Sequence, residues 1–312
     1  MRNRIMELIR VQAAVDENVL FLTGDLGFSV VEPLEEALGE RFINMGIAEA
    51  NMLSASASLA ACGFKPYVYS IAPFVTVRCL EQIRNDVAYQ KRAVRIIGVG
   101  AGFSYGSLGP SHHSLEDATL MAALPGMMVF NPANVAELDR IFALSKDDRR
   151  PAYFRIPRES GSMQDAPEFG LHDAVYRLRE GADVTLVSSG VSLAETLSAA
   201  DRLADTGISA GVLSVPVIQP FPAAAFAQHA DVAPLVSVFE GYRGNPLSLG
   251  IMETLLSTGL RNRFLDLCAP HEFAQVVGNT GALRARAGLD AESIARRVEA
   301  FVRLDQPARK AG

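Results

Sequence analysis

The chain has 312 residues, a formal net charge of −6 at pH 7 and an apolar fraction of 49%. This length and composition are typical of a folded protein with two α/β domains of ordinary size. The net negative charge argues against nucleic acid as a partner, because no basic field is present to offset phosphates. No apolar run is long enough to cross a membrane, and the three cysteines have no metal-ligand or paired spacing, so the sequence predicts a cytoplasmic protein.

Strand-like and helix-like segments alternate through the first half of the chain. The predicted strands are Asn18–Thr23, Phe42–Asn44, Lys65–Tyr69, Val94–Val99, Met127–Phe130 and Ala152–Ile156. The predicted helices are Glu32–Leu38, a segment that carries Glu49, Pro73–Ala88, Leu115–Leu124 and Val135–Leu144. This alternation predicts a mostly parallel sheet with helices on both faces.

A second alternating series follows a segment, 157–170, that is rich in Pro, Ser, Gly and acidic residues and has no apolar periodicity. Its predicted strands are 183–188, 208–215, 235–239 and 264–268, and its predicted helices are 192–205, 246–257 and 290–304. We therefore expect an α/β fold of two doubly wound, mostly parallel-sheet domains. Their predicted bounds are residues 1–160 and 181–312, with a linker over 161–180.

Glu49 is the most informative residue, because it is a single carboxylate in a run of apolar and small residues that extends from Phe42 to Gly63. A carboxylate on such a helix is costly to bury unless it has a proton or a partner. An exposed glutamate near a helix N-terminus, favoured by the helix dipole, is the plainer interpretation. The neighbouring residues favour a buried carboxylate with a specific partner.

Three motifs are informative in combination. The first is the pattern formed by Phe42, Gly46, Ile47, Ala48 and Glu49, and the others are Gln82-Ile83-Arg84-Asn85 and Gly109-Pro110-Ser111-His112. Together they resemble the pyrimidine-binding domain of thiamine diphosphate enzymes, and transketolase in particular. The resemblance covers nearly the whole chain but only the C-terminal half of a full-length transketolase. It implies a pyrimidine-binding domain followed by a transketolase C-terminal domain.

The resemblance also implies roles at a cofactor site. Glu49 matches the glutamate that bonds the aminopyrimidine ring of thiamine diphosphate, and Phe74 matches an aromatic residue that stacks on that ring. Ile71 replaces a second aromatic residue of the family, and Arg78 is expected to approach the ring. The cofactor carries the reactive carbon, and the protein tunes it.

Four further residues match positions that contact substrates in the family. His112 matches a histidine that reaches sugar hydroxyls, a role that suits a side chain able to donate or accept a proton near neutral pH. A histidine that caps the next helix is the alternative. Arg155, Ser29 and Arg2 match residues that hold the acceptor phosphate, and a surface salt bridge at the linker is the alternative for Arg155.

Two departures from the family pattern predict a different sugar specificity. Leu108 stands where transketolases carry an aspartate that contacts an acceptor hydroxyl, and Gly100 stands where they carry a further histidine. A site that loses a polar contact no longer demands the matching hydroxyl.

The sequence contains no Gly-Asp-Gly motif, which in thiamine diphosphate enzymes holds the metal-bound diphosphate. We therefore expect a partner, the large N-terminal-half transketolase subunit, to hold the diphosphate and Mg²⁺ in an α2β2 assembly. The predicted function is ketol transfer by the small subunit of a split transketolase. The alternatives are the β subunit of a 2-oxo-acid dehydrogenase, a 1-deoxyxylulose phosphate synthase-like enzyme and a non-catalytic scaffolding partner.

Overall fold

The computed structural model describes residues 1–27, 30–158, 165–230 and 233–304. Its strands are β1 Val19–Thr23, β2 Phe42–Asn44, β3 Lys65–Ile71, β4 Arg95–Val99, β5 Met128–Phe130, β6 Ala152–Ile156, β7 Tyr176–Arg179, β8 Val184–Ser188, β9 Ala210–Ser214, β10 Val217–Gln219, β11 Leu235–Val238 and β12 Phe264–Leu267. Its α-helices are α1 Arg2–Ala13, α2 Glu32–Leu38, α3 Glu49–Ala61, α4 Ala72–Val75, α5 Leu80–Gln82, α6 Asp117–Ala122, α7 Val135–Ser145, α8 Ser192–Asp205, α9 Ala223–His229, α10 Pro246–Thr258, α11 Thr280–Ala287 and α12 Ala291–Arg303. None of these helices is long and apolar enough to cross a membrane.

The strands form two sheets, with the orders β10-β5-β6-β4-β3-β1-β2 and β12-β11-β8-β9-β7. The pairs among β1 to β6 are parallel, as are those among β8, β9, β11 and β12. Within the described part of the chain, only β10 and β7, each at one edge of its sheet, pair antiparallel. The predicted fold class, two mostly parallel α/β sheets, is confirmed.

The first sheet is buried on both faces, which explains why its strands read as continuous apolar runs. In β1, Leu20 and Leu22 pack into one apolar cluster, whereas Val19 and Phe21 pack into another. Because successive side chains of a strand point to opposite faces, the two clusters lie on opposite sides of the sheet. Helices cover both sides, and the carboxyl ends of the parallel strands remain open to a site.

Two short strands lie outside the predicted organisation. Strand β7 lies within the segment predicted as a linker, 161–180, and pairs with β9 of the second sheet. Strand β10 follows β9 in the chain but adds to the first sheet beside β5. Runs of three or four residues carry too little periodicity to reveal a strand from sequence. The domain bounds given above remain a prediction.

The helix predicted over Pro73–Ala88 is wrong as a single element. The chain forms α4, leaves the helix near Thr76, and resumes with α5 and a short π-helix over Ile83–Ala88. The run Val75-Thr76-Val77 is β-branched, and the Thr76 hydroxyl donates to the carbonyl of Ala72 at 2.6 Å. This interruption turns the chain between Phe74 and Arg78, so that both side chains reach the same place.

Candidate active site

The residues predicted for the site lie at the edge of the first sheet that is formed by the carboxyl ends of its parallel strands. Glu49 opens α3 after β2, Phe74 lies in α4 after β3, and His112 lies in the long loop after β4. Because these three strands are parallel, their carboxyl ends meet at the same edge, where ligands bind in open α/β sheets.

Glu49 is buried, as the sequence predicts, and its side chain is only 5% exposed. Its Oε2 atom lies 3.0 Å from Nη1 of Arg78, which donates a hydrogen bond and forms an ion pair. The other carboxylate oxygen, Oε1, lies close to the backbone of Gly24, because a Cβ atom built on that glycine would be 3.8 Å from it. Oε1 has no hydrogen-bond donor among the described residues, and it remains available to a ligand.

Phe74, Arg78 and His112 form a wall next to this carboxylate. The Arg78 guanidinium carbon lies 4.3 Å from the centroid of the Phe74 ring. The rings of Phe74 and His112 meet edge to face, with centroids 5.1 Å apart. The structure therefore brings together Glu49, Phe74, Arg78 and His112. The first and the last of these residues are more than 60 positions apart in the sequence.

Two residues beside His112 were not predicted to matter. Ser111 Oγ lies 3.0 Å from Nδ1 of His112, and the ring of Tyr105 lies 6.4 Å from the imidazole, centroid to centroid. When the hydroxyl donates to Nδ1, the proton of the neutral ring resides on Nε2. Partial burial, with the nearby His113 and Arg78, lowers the pKa of His112 below 6.5. A serine adjacent to a predicted site histidine was the available sequence signal.

His113 is packed into the fold and does not face the candidate site. Its side chain is buried, its Nε2 lies 3.3 Å from the carbonyl oxygen of Gly106, and its ring packs edge to face against Phe103. These contacts hold the turn that precedes His112. They also place His113 away from solvent, so His112 is the histidine that the edge presents.

Arg155 lies in an interior ion pair, which argues against the predicted phosphate contact. Arg155 and Asp117 are both fully buried, and Nε of Arg155 donates to Asp117 at 2.9 Å. Nη2 donates to the carbonyl oxygens of Ser114 and Glu240, at 2.7 and 2.9 Å. A dissolved phosphate cannot reach a guanidinium in this position. A surface salt bridge was the alternative role of Arg155 from the sequence. The structure shows a salt bridge, but a buried one.

The other predicted residues are less tightly placed. Ile71 is the last residue of β3, is half-buried, and packs on the apolar cluster of Tyr69 and Val99. Arg2 opens α1, and its buried Nε atom has no hydrogen-bond partner among the described residues. Ser29 lies outside the residues that the structure describes.

The site is open rather than enclosed. A cleft of about 900 Å³ lies instead at the opposite edge of the first sheet, where it is lined by Arg84, Tyr89, Lys91 and Arg149. That cleft contains neither Glu49 nor His112, and it lies at the amino ends of the strands. We assign the chemistry to the edge with the buried carboxylate, because a reactive group defines a site better than volume does.

The donor set at this edge fits an aminopyrimidine ring. It offers a buried carboxylate with one oxygen available and an aromatic face beside it. Among the residues that the structure describes, no group of three or more His, Cys, Asp or Glu side chains could hold a metal ion.

Comparison with known proteins agrees with this geometry. The family profile "Transketolase, pyrimidine binding domain" matches residues 1–163, and "Transketolase, C-terminal domain" matches residues 173–294. The 6-deoxy-6-sulfo-D-fructose transketolase subunit SqwH from Clostridium sp. (strain MSTE9) is 35% identical over 74% of this chain and 72% of its own length. A subunit of apulose-4-phosphate transketolase from Phocaeicola vulgatus is 32% identical over 93% of this chain and 94% of its own.

Two further relatives bear on the assembly and on the alternatives. The solved structure described as "Split gene transketolase, inactive beta4 tetramer" is 28% identical, covers 98% of both chains and superposes with a TM-score of 0.86. A 1-deoxy-D-xylulose-5-phosphate synthase from Syntrophotalea carbinolica is 30% identical over 85% of this chain but only 42% of its own length. The chain belongs to the transketolase family, of which it comprises the pyrimidine-binding and C-terminal domains.

Proposed function

We propose that this chain is the small subunit of a split, thiamine diphosphate-dependent transketolase. Together with a large subunit, it transfers a two-carbon ketol unit from a ketose to an aldose. The observation that carries the proposal is the buried carboxylate of Glu49, whose partner Arg78 also lies over the ring of Phe74. The similarity of the chain to two transketolase subunits supports the same assignment.

Glu49 holds and shares a proton with the aminopyrimidine ring in this proposal. Thiamine diphosphate, when bound, supplies the nucleophilic carbon that attacks the ketose carbonyl. A carboxylate in an apolar setting forms a stronger hydrogen bond than one in water, because little solvent competes for it. Phe74 orients the ring by stacking on it, and Ile71 extends the apolar wall.

His112 contacts the hydroxyls of the sugar. Its lowered pKa keeps the imidazole neutral at pH 7, so that one nitrogen donates and the other accepts. Ser111 occupies Nδ1 and leaves Nε2 for the substrate. The rings of Phe74 and Tyr105 both lie near the imidazole, with centroids 5.1 and 6.4 Å from its own.

An anionic sugar is the substrate class that we propose. SqwH and the relative from Phocaeicola vulgatus are named for a sulfonated and a phosphorylated sugar, respectively. In this chain, Arg158 lies over the ring of Tyr105, at 5.6 Å from its guanidinium carbon to the ring centroid, next to the residues around His112. Arg2 Nε and Arg155 Nη1 are both buried without a hydrogen-bond partner among the described residues, so this feature does not separate the two. Arg158 is exposed and is therefore better placed than the fully buried Arg155 to receive a phosphate or sulfonate, and Arg2 is a further candidate.

A large subunit is proposed to cover the open edge, to supply Mg²⁺ and the diphosphate cradle, and to form an α2β2 assembly. Exposed apolar side chains surround the site: Ile47, Val77 and Leu108 are 85%, 42% and 52% exposed. Apolar groups clustered around an incomplete site are typical of a surface that another protein covers. The absence of the Gly-Asp-Gly motif supports the same conclusion.

The first test removes the carboxylate in the assembled enzyme. We expect Glu49→Gln to lower kcat for ketol transfer by about a hundredfold or more, because the amide cannot share a proton in the same way. Glu36→Gln, at an exposed glutamate of α2, is the matched control and should retain wild-type turnover. Full turnover by Glu49→Gln would exclude this mechanism.

The second test concerns the half-site. Calorimetry of the purified chain alone with thiamine diphosphate and Mg²⁺ should show weak binding or none, and addition of the large subunit should restore it. Tight Mg²⁺-dependent binding by the chain alone would show that no partner is needed.

One alternative keeps specific support. The similarity to a 1-deoxy-D-xylulose-5-phosphate synthase over the same two domains supports a synthase-like activity as the second candidate. Assay of the assembled enzyme with pyruvate and an aldose, in place of a ketose and an aldose, separates the two. Release of CO₂ from pyruvate would favour the synthase. The Gly-Pro-Ser-His loop favours transketolase over a 2-oxo-acid dehydrogenase, and the retained Glu49, Phe74 and His112 argue against a scaffold.

A further inference from the structure

The Arg78 guanidinium has two simultaneous contacts at the candidate site. One end donates to Oε2 of Glu49 at 3.0 Å, and the plane lies near the Phe74 ring, 4.3 Å from carbon to centroid. Glu49 and Arg78 differ in exposure: the Glu49 side chain is 5% exposed, whereas that of Arg78 is 47% exposed. Arg78 therefore reaches from solvent to a buried carboxylate across an aromatic face.

These two contacts overlap with those that the proposed function assigns to the cofactor's aminopyrimidine ring: the guanidinium bonds the same carboxylate, at Oε2 rather than Oε1, and it lies over the same Phe74 ring. A guanidinium is planar, delocalised and able to stack on an aromatic ring while its edge donates to a carboxylate. An aminopyrimidine ring is also planar and also presents nitrogen at its edge. The guanidinium and the ring compete for the same carboxylate and the same stacking surface.

Resting on the proposed function, we propose that Arg78 is a placeholder for the aminopyrimidine ring, which displaces it towards solvent on binding. Without a partner, the Glu49 carboxylate would be buried and uncompensated, a strongly unfavourable state. Arg78 supplies that partner before the cofactor and the large subunit arrive. It also keeps Phe74 and Glu49 in the arrangement that the ring requires.

The placeholder has two measurable consequences of opposite sign. It stabilises the chain without cofactor, and it weakens cofactor binding, because only the fraction of molecules with Arg78 displaced can bind. An arginine that instead contacts the bound ring would strengthen cofactor binding. The sign of the change in affinity therefore distinguishes a placeholder from a ligand.

The stability of the chain alone is measured first, by thermal unfolding of wild type, Arg78→Ala, Glu49→Gln and the double variant. We expect Arg78→Ala to lower Tm by several degrees when Glu49 is present, and to have little effect when residue 49 is glutamine. Arg84→Ala is the matched control, because Arg84 is exposed in the same segment and donates only to its neighbour Asn85 among described residues. An equal loss in both backgrounds would overturn the pairing on which the proposal depends.

Cofactor affinity is measured next, by calorimetric titration of thiamine diphosphate with Mg²⁺ into the assembled enzyme. If about nine molecules in ten hold Arg78 in place, Arg78→Ala should bind the cofactor about tenfold more tightly than wild type. Arg78→Lys keeps the charge without the plane, and it should bind with intermediate affinity. Arg84→Ala should match wild type.

The outcomes separate the placeholder from the proposed function. Weaker cofactor binding by Arg78→Ala, with wild-type binding and ketol transfer intact, would overturn the placeholder and leave the function standing. Failure of the wild-type assembly to bind the cofactor at all would overturn both. Unchanged affinity in both Arg78 variants would also overturn the placeholder.

Discussion

His112 is positioned by neighbours that favour its neutral form. The rings of Phe74 and His112 meet edge to face, and Ser111 Oγ lies within hydrogen-bond distance of Nδ1. Partial burial first, and then the nearby His113 and the positive charge of Arg78, disfavour a second proton and lower the pKa of His112. A histidine in this state can exchange hydrogen bonds with a sugar hydroxyl without adding charge to the site.

We predict that His112 titrates with a midpoint below 6.5. Its pKa is lower in the folded chain than in the unfolded chain, so the unfolded chain takes up the proton first as the pH falls. The contribution of His112 therefore leaves stability unchanged above pH 6.5 and lowers it below. NMR titration of the imidazole carbon-bound protons measures the midpoint, and His112→Asn assigns the signal.

The pH dependence of the unfolding free energy is a second measurement of the same effect. His112→Asn should lose less stability than wild type between neutral pH and pH 5, and His113→Asn should also lose less, because burial lowers the pKa of His113 as well. A His112 midpoint at or above 6.5 would contradict the environment described for the site.

Sequence motifs identified the residues that meet at the site but not their partners. Glu49 and His112 each lie in a short motif, and Phe74 was selected because it matches an aromatic position of the family; their roles at the site stay predictions. The burial of Arg155 could not, because its partner Asp117 lies 38 residues earlier and looks like an ordinary acidic residue at a helix start. Pairing between distant side chains depends on strand order, which local sequence does not contain.

At the scale of elements, the second domain fixes the loop that carries His112. The backbone N–H of Phe103 donates to Oε1 of Glu240 at 2.7 Å, and Arg284 binds the other carboxylate oxygen. Gly102 and Ser114 close the base of the loop by two backbone hydrogen bonds of 3.0 and 2.9 Å. Glu240, which the sequence offered no reason to select, is thus a positioning residue for the loop.

We predict that Gly102→Ala destabilises the chain more than Gly63→Ala does. Both glycines have positive φ, +62° and +96°, so an alanine at either position costs about 1 kcal/mol in strain. Only at Gly102 would the new Cβ meet a side chain, since it would overlap Oε1 of Glu240, whereas nothing lies within 4 Å at Gly63. Displacing the buried carboxylate adds a further ~1–3 kcal/mol.

Urea unfolding of the two glycine variants measures the difference directly. The NMR signal of His112 should shift in Gly102→Ala and remain in place in Gly63→Ala, because only the first disturbs the loop. Equal destabilisation with an unmoved His112 signal would show that Glu240 does not hold the loop.

Elements were easier to predict from sequence where they are long. The strands β1, β4 and β6 are apolar runs bounded by polar or glycine-rich segments, and their parallel order follows from the helices between them. The broken helix at Thr76 and the antiparallel strand β10 were not predictable in the same way. The first falls in the β-branched run Val75-Thr76-Val77, which the predicted helix included, and the second depends on pairing with β5 across the chain.

At the scale of the molecule, a buried arginine of the first domain, Arg155, bonds both its own domain and the second. Arg155 lies on β6 of the first sheet, and it donates to Asp117 and to the carbonyl oxygens of Ser114 and Glu240. Tyr153, two residues earlier on the same strand, donates its hydroxyl to Asp117 at 2.7 Å. This network connects β6 of the first sheet to Glu240, the residue of the second domain that holds the loop carrying His112.

We predict that Arg155→Met lowers the free energy of unfolding by ~3–5 kcal/mol, because it leaves the Asp117 carboxylate buried without its cation. The double variant Arg155→Met, Asp117→Asn should recover part of that loss. Arg4→Met is the matched control, since Arg4 pairs with Asp139 at the surface, with side chains 41% and 36% exposed, and should change stability by less than about 1 kcal/mol. Urea unfolding measures all three. An Arg155→Met chain of wild-type stability that raises KM for a phosphorylated sugar would instead assign Arg155 to the substrate.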